Sequence, residues 1–156
     1  MGIGLQTYLV PEATVLGLAA ESAEQVIVIL SEKLKEAGYV HASFVQNVLA
    51  REQNQPTGLP LQGKYNAAIP HTDSEFVIKP GVAVATLARP VLFRNMVSPS
   101  EQIPVHLVFL LALDQPKSQI AMLQELSQVL QKAELVESIM QSQNLSQINE
   151  IFQNLA

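Results

Sequence analysis

Cysteine is absent from the 156 residues, and so is tryptophan. Without a thiol there is no disulfide framework, no thiolate nucleophile and no cysteine-based metal site. Charge is sparse as well: Asp, Glu, Lys and Arg make up 15% of the chain, and their balance leaves a formal net charge of -5. A mildly acidic chain is poorly suited to neutralising a phosphate backbone, so nucleic acid is not an expected partner. The same charge suits docking on a basic protein surface. Long apolar runs are also missing. The longest, Val105 to Leu113, contains His106 and falls far short of the roughly 20 residues a membrane-spanning helix needs. The start, Met1 to Gln6, has no basic segment followed by an apolar one, and Gln6 stands where a myristoylation pattern needs Ser or Thr. Asn144-Leu145-Ser146 fits a glycosylation sequon, a chance match in a chain with no export signal. The expected setting is the cytoplasm, with no insertion into a membrane.

Several chemistries are excluded by missing motifs. There is no glycine-rich phosphate loop, no Gly-x-Ser-x-Gly elbow and no His-x-x-x-His or similar metal spacing. No internal repeat or low-complexity tract divides the chain. Apolar residues make up 48% of it, a globular composition, and the length suits one domain, residues 1–156, around a single core.

Helical and strand patterns alternate along that domain. Thr14 to Leu18 reads as a short strand. Ser22 with Gln25 forms a capping box, and Val26, Ile27, Leu30, Leu34 and Ala37 follow at helical spacing until Gly38. A second helix is expected from Ser43, again with Gln three residues on, burying Phe44, Val45, Val48 and Leu49 and ending before Pro56. Residues 53–65, with Pro56, Gly58, Pro60 and Gly63, carry loop chemistry. Ala67 to Pro70, Val82 to Ala88 and Val91 to Phe93 are expected strands, the last two separated at Arg89-Pro90. The run Val105 to Leu113 has the composition of a central strand covered on both faces. Ile120, Leu123, Leu126 and Leu130 then mark a long helix, Leu135, Val136, Ile139 and Met140 a shorter one, and Ile148, Ile151, Phe152 and Leu155 a last one. Helices on either side of a strand block predict an α/β fold: a mixed sheet of about five strands with helices on both faces.

Three histidines are the candidates for chemistry. His41 lies near the start of the second helix and is expected to be exposed. His106 lies inside the most apolar strand, where a strand-end residue with one hydrogen bond is the simpler reading. His71 ends a strand and opens the polar run Thr72-Asp73-Ser74-Glu75. That position holds a side chain rigidly yet open to a partner, though position alone leaves a structural role equally open. A neutral imidazole is a competent nucleophile near pH 7. A phosphoryl group carried there would need cationic or donor groups around its oxygens. Arg51 could supply a two-pronged contact, or could be an ordinary arginine at a helix C-terminus. Lys64, Arg89 and Arg94 read as surface charges. Glu52, Asp73 and Glu75 show no spacing that demands a carboxylate pair, and Met96, Met122 and Met140 read as fillers.

Taken together, Arg51-Glu52, Pro56-Thr57-Gly58-Leu59 and Ala68-Ile69-Pro70-His71 resemble the signature of the fructose–mannitol type of enzyme IIA in bacterial sugar phosphotransferase systems. Ala88-Arg89-Pro90-Val91 to Phe93 with Met96, then Val108 to Leu113 and Met122-Leu123, resemble its galactitol branch. The resemblance runs from about Thr14 to the C-terminal helices. It implies a phosphotransferase component in which the phosphocarrier HPr donates to Nε2 of His71. The phosphoryl group then passes to a cysteine of the IIB component, which works with the membrane component IIC. It implies no cofactor and no metal. The family's active-site arginine falls on Arg51, and its threonine falls on Thr57, as an orienting or hydrogen-bonding group. Many members carry a second histidine where this chain has Gln119, which leaves Gln119 as a phosphate contact that can donate a hydrogen bond but carries no charge. His106 would be the other substitute for it. Thr72 stands where glycine is common, which either narrows the pocket or adds a hydroxyl beside the site. The same family includes phosphorylatable modules that regulate and do not transport, the alternative reading.

Overall fold

The near-continuous apolar segment now becomes β5, Gln102–Ala112, and its composition dictates its place. A strand apolar on both faces must be covered on both, and β5 is the third of five strands. The computed structural model describes residues 4–154. Its other strands are β1 (Leu9–Leu18), β2 (Gly58–Leu59), β3 (Ala67–Ala68) and β4 (Gly81–Arg94). The order across the sheet is β1-β4-β5-β3-β2. The β1–β4 and β3–β5 pairs are parallel, whereas β4–β5 and β2–β3 are antiparallel. The sheet is therefore mixed, as expected.

Strand pleating sends alternate side chains to opposite faces. Ala83, Ala85, Val108 and Leu110 join a cluster with Val26, Ile27, Leu30, Leu34, Phe44 and Val48. These last residues come from helices α2 (Ala23–Glu36) and α3 (Phe44–Asn54), which cover that face. Val82, Val84, Leu107, Phe109 and Leu111 join a second cluster with Met122, Leu126, Val136, Ile139, Ile148 and Phe152. They pack against the short α1 (Leu5–Tyr8) and against α4 (Pro116–Leu130), α5 (Ala133–Gln141) and α6 (Leu145–Gln153). The single core expected from length is thus two cores, because the sheet lies between them.

Local chemistry accounts for some element ends. The Ser22 Oγ accepts from the Gln25 N–H at 3.1 Å, and the Gln25 Oε1 accepts from the Glu21 N–H at 2.7 Å, so the capping box closes one residue early. Gly38 ends the segment at φ +87°, a left-handed conformation that costs glycine little. The second capping box does not form: the Ser43 side chain makes no cap bond, and Asn47 Nδ2 donates to the Ser43 carbonyl instead. Asn144 of the sequon caps α6, its Oδ1 accepting from the Gln147 N–H.

Other expectations shift. β1 begins at Leu9, ahead of Thr14, because a register break between Leu9 and Thr14 absorbs Pro11 within the strand. β4 runs through Arg89-Pro90, and the expected gap is a register shift between Thr86 and Val91. A bulge tolerates proline because no ladder donor is needed there. The loop segment 53–65 hides β2, and α1 and a single 3-10 turn at Ser74–Phe76 also carried no pattern. Ile120 is 59% exposed and does not belong to the buried stripe of α4, whose buried residues are Met122, Leu126, Val129 and Leu130. Leu155 lies outside the described residues. Among those described, no helix is long and apolar enough to cross a membrane.

Candidate functional site

β3 runs parallel to β5, with Ala67 beside Leu107 and Ala68 beside Val108. The alignment continues to His71, which bridges Leu111, and the Leu111 N–H donates to the Pro70 carbonyl at 3.0 Å. Pro70 has no donor of its own, so the ladder is broken between Ala68 and this bridge, and the next side chain lines a cleft. That side chain is the His71 imidazole, only 7% exposed. Its Nδ1 lies 2.9 Å from the Ile69 carbonyl oxygen. A carbonyl can only accept, so Nδ1 carries the proton and Nε2 keeps its lone pair. Burial is the chief cause that lowers the His71 pKa, and the charge of Arg51 lowers it further. The hydrogen bond to Ile69 and the charge of Asp73 act the other way. The ring is therefore neutral at pH 7.

Arg51 comes from the last turn of α3, facing the same place. Its Nη1 lies 3.7 Å from Asp73 Oδ1, a pair whose side chains are 35% and 68% exposed. Exposed pairs of this kind contribute about 0–1 kcal/mol, so another anion can displace Asp73. The Arg51 Nε is buried with no protein acceptor. His71, Arg51 and Thr57 line one cleft of about 340 Å³, with Pro56, Met96 and Pro99 on its walls.

Thr57 is 3% exposed. Its N–H and its Oγ–H both donate to the carboxylate of Glu52, at 2.9 and 2.8 Å. The Thr57 Oγ and carbonyl in turn accept from the Ile69 N–H, at 3.2 and 3.3 Å. Glu52 is buried, and desolvation raises its pKa, while the two Thr57 hydrogen bonds and Arg94 pull it down.

Of the expected site residues, His71, Arg51 and Thr57 meet in one cleft. Thr72 is buried directly after His71 but is not part of the cleft wall. Gln119 occupies the first turn of α4, also away from that wall, with its Oε1 buried and unpartnered. His106 cannot stand in for a second histidine here. It is five residues along β5 from Leu111, about 17 Å at ~3.4 Å per residue, and its Nδ1 accepts from the Asn66 N–H at 3.2 Å. Tyr65 stacks edge-on against it at 5.2 Å. His41 is exposed, as expected.

Two residues were passed over by sequence. Met96 forms a cleft wall. Glu52 is tied to Thr57, and a signal for it existed: it extends the buried stripe Phe44-Val48-Glu52 of α3. A carboxylate on a buried stripe must find donors. Arg94, read as a surface charge, donates to the carbonyls of Glu52 and Gln53 and so caps the end of α3. Among the described residues, no three His, Asp or Glu side chains gather as metal ligands.

Fold and site meet the known proteins at this point. The chain belongs to the EIIA 2 family of the phosphoenolpyruvate-dependent sugar phosphotransferase system, whose family model matches residues 7–155. It is similar to the galactitol-specific EIIA component of Escherichia coli K12, 25% identical over 123 residues, 79% of this chain and 81% of that one. Among solved structures it is similar to mannitol enzyme IIA of Escherichia coli in its complex with phosphorylated enzyme IIB, at 26% identity and TM-score 0.76, covering 94% and 97% of the two chains. The nitrogen regulatory protein IIA-Ntr of Neisseria meningitidis shares the fold, at 24% identity and TM-score 0.75, with 94% and 97% covered.

Proposed function

We propose that this protein is the phosphoryl carrier of a sugar or polyol phosphotransferase system and that His71 is the acceptor. The observation that carries the reading is the His71 ring itself. It is neutral, it is anchored through Nδ1–H to Ile69, and its bare Nε2 shares a cleft with a guanidinium.

The Nε2 lone pair attacks the phosphorus of phospho-HPr as the donor's P–N bond breaks, and the bonding electrons return to the donor nitrogen. Arg51 leaves Asp73 and turns its charge to the equatorial oxygens, where negative charge is spread in the transition state. In the second transfer a IIB cysteine thiolate attacks the same phosphorus, and the electrons of the P–Nε2 bond return to His71. The proton on Nδ1 stays in place throughout, held by Ile69. Thr57 fixes the backbone beneath the ring, while Thr72 and Gln119, which do not line the cleft, are given no contact to the phosphoryl oxygens. No metal is required, because the chain's own cation meets the charge. The carrier acts in the cytoplasm with HPr and IIB, and IIB couples it to the membrane component IIC. Similarity to a galactitol-specific component supports galactitol or a related polyol as the transported sugar.

The test is incubation with phosphoenolpyruvate, enzyme I and HPr, followed by intact mass. Wild type should gain one acid-labile phosphoryl group, His71→Ala none, and Arg51→Lys should gain it at least about tenfold more slowly, because a point charge lacks the two-pronged contact. Phosphorylation of folded His71→Ala would move the acceptor elsewhere. An unphosphorylated wild type would leave a binding module.

A further inference from the structure

The hydrogen bonds beneath His71 form a continuous path that begins at a buried charge. Both Glu52 oxygens accept from Thr57, one from its N–H and one from its hydroxyl. That hydroxyl directs its O–H at Glu52, so its lone pairs face the Ile69 N–H. Ile69 is then held on one side by Thr57, and Pro70 on the other by the Leu111 N–H. The carbonyl between those two anchors is the one that accepts from His71 Nδ1. Each bond in the path has one direction, and the direction starts from a carboxylate, which can only accept.

We propose that Glu52 is a positioning residue for His71: acting through Thr57 and Ile69, its carboxylate fixes the ring's tautomer and the aim of Nε2. The inference rests on the carrier reading for its purpose, though not for its geometry. Glu52 also sits next to Arg51 in the last turn of α3, so one turn of helix carries both the guanidinium and the anchor of the imidazole. Arg94 holds that turn from β4 by donating to its carbonyls. The separation between Arg51 and Nε2 is thereby set by short links, each within a few residues or across one strand pair.

A carboxylate is needed for this, and an amide of the same shape does not serve. If a glutamine at position 52 turned its oxygen to the Thr57 N–H, its NH2 would face the Thr57 hydroxyl, whose proton would lose its acceptor. Turned the other way, the NH2 would oppose the Thr57 N–H, donor against donor. In the first orientation the side-chain bond reverses and strands the Thr57 proton, and in the second a bond is lost, while volume and packing are kept.

The experiment has two readouts on Glu52→Gln, Thr57→Val and Thr57→Ser. The first is the imidazole 15N spectrum of the unphosphorylated protein, which reports the His71 tautomer and its titration. The second is the transfer rate from phospho-HPr across a range of HPr concentrations. Wild type and Thr57→Ser, which keeps the hydroxyl, should show the Nδ1–H tautomer and comparable rates. Glu52→Gln and Thr57→Val should show mixed tautomers and a shifted His71 titration. Their saturated rate should fall about tenfold to a hundredfold, the scale expected of a misaimed nucleophile, with half-saturation within about twofold of wild type. A merely structural Glu52 would lower the melting temperature and leave tautomer and titration unmoved; that result in folded Glu52→Gln overturns the inference. If that variant does not fold, Thr57→Val, which cuts the same path one step later, decides on the same terms. Should wild type accept no phosphoryl group, the carrier reading falls, and the 15N spectra still decide the positioning.

Discussion

A buried imidazole kept neutral ties stability to pH. The folded-state pKa of His71 is below its ordinary value of 6.5, mainly through burial. The unfolded chain therefore takes up this proton first as pH falls through about 6.5. Stability is full above that pH and declines below it, until the folded pKa is passed. Glu52 acts in the opposite sense. Its folded pKa lies above 4.5, so burial of its charge opposes folding at neutral pH, and the opposition fades as pH falls toward 4.5. His106, whose pKa burial also lowers, adds to the His71 trend but is common to every variant compared. The expected result is that urea midpoints of wild type fall between about pH 7 and pH 5, and that His71→Ala falls less. Parallel profiles would show that the fold does not hold His71 neutral. The family resemblance placed His71, Arg51 and Thr57 at the candidate site, whereas position alone left His71 and Arg51 open to a structural role. Glu52 was missed because an isolated carboxylate in a polar stretch, Arg51-Glu52-Gln53-Asn54, carries no mark of burial unless α3 is followed face by face.

At the scale of elements, the site hangs on the joint between α3, β2 and the β4–β5 turn. Gly58 pairs with Ala68 in β2–β3, bridges Asn95, and accepts from the Met96 N–H at 2.8 Å. A Cβ at Gly58 would stand 2.5 Å from the Arg94 carbonyl oxygen, a backbone atom that cannot swing aside. Gly58→Ala is therefore expected to lower stability by about 1–3 kcal/mol, read from the denaturant midpoint. It should also slow phosphorylation, because Met96 on the cleft wall hangs from the same residue. A midpoint within error of wild type would mean that β2 can move away from β4 freely. Helices α2, α4, α5 and α6 were legible in the sequence through apolar spacing and, for α2, its cap. β2 was not, because two residues among prolines and glycines have no periodicity; β2 exists through its neighbours alone.

Across the whole molecule the sheet separates two cores, and the expected weight of a residue follows from which layer holds it. Leu110 is fully buried between β5 and the α2–α3 layer. Leu110→Ala should cost about 2–5 kcal/mol. Ile120, placed in the buried stripe of α4 by sequence spacing, is 59% exposed, and Ile120→Ala should change stability by no more than about 0.5 kcal/mol. Chemical denaturation of the two variants side by side measures both; a comparable loss for Ile120→Ala would place that face of α4 inside the core.

The sequence by itself determined the α/β class, the central position of the Val105–Leu113 run, the cap and stop of α2, and the strand end that presents His71. Each follows from short-range causes: period, capping chemistry and backbone restriction act within a few residues. Only the tertiary structure decided the strand order, the alignment of His71 beside Leu111, the meeting of Arg51 with Asp73 near that ring, and the path from Glu52 to Ile69. Hydrophobic patterning says that a face must be buried but not against which neighbour. A hydrogen bond has a partner only once two segments have been brought to within 3 Å or so of each other.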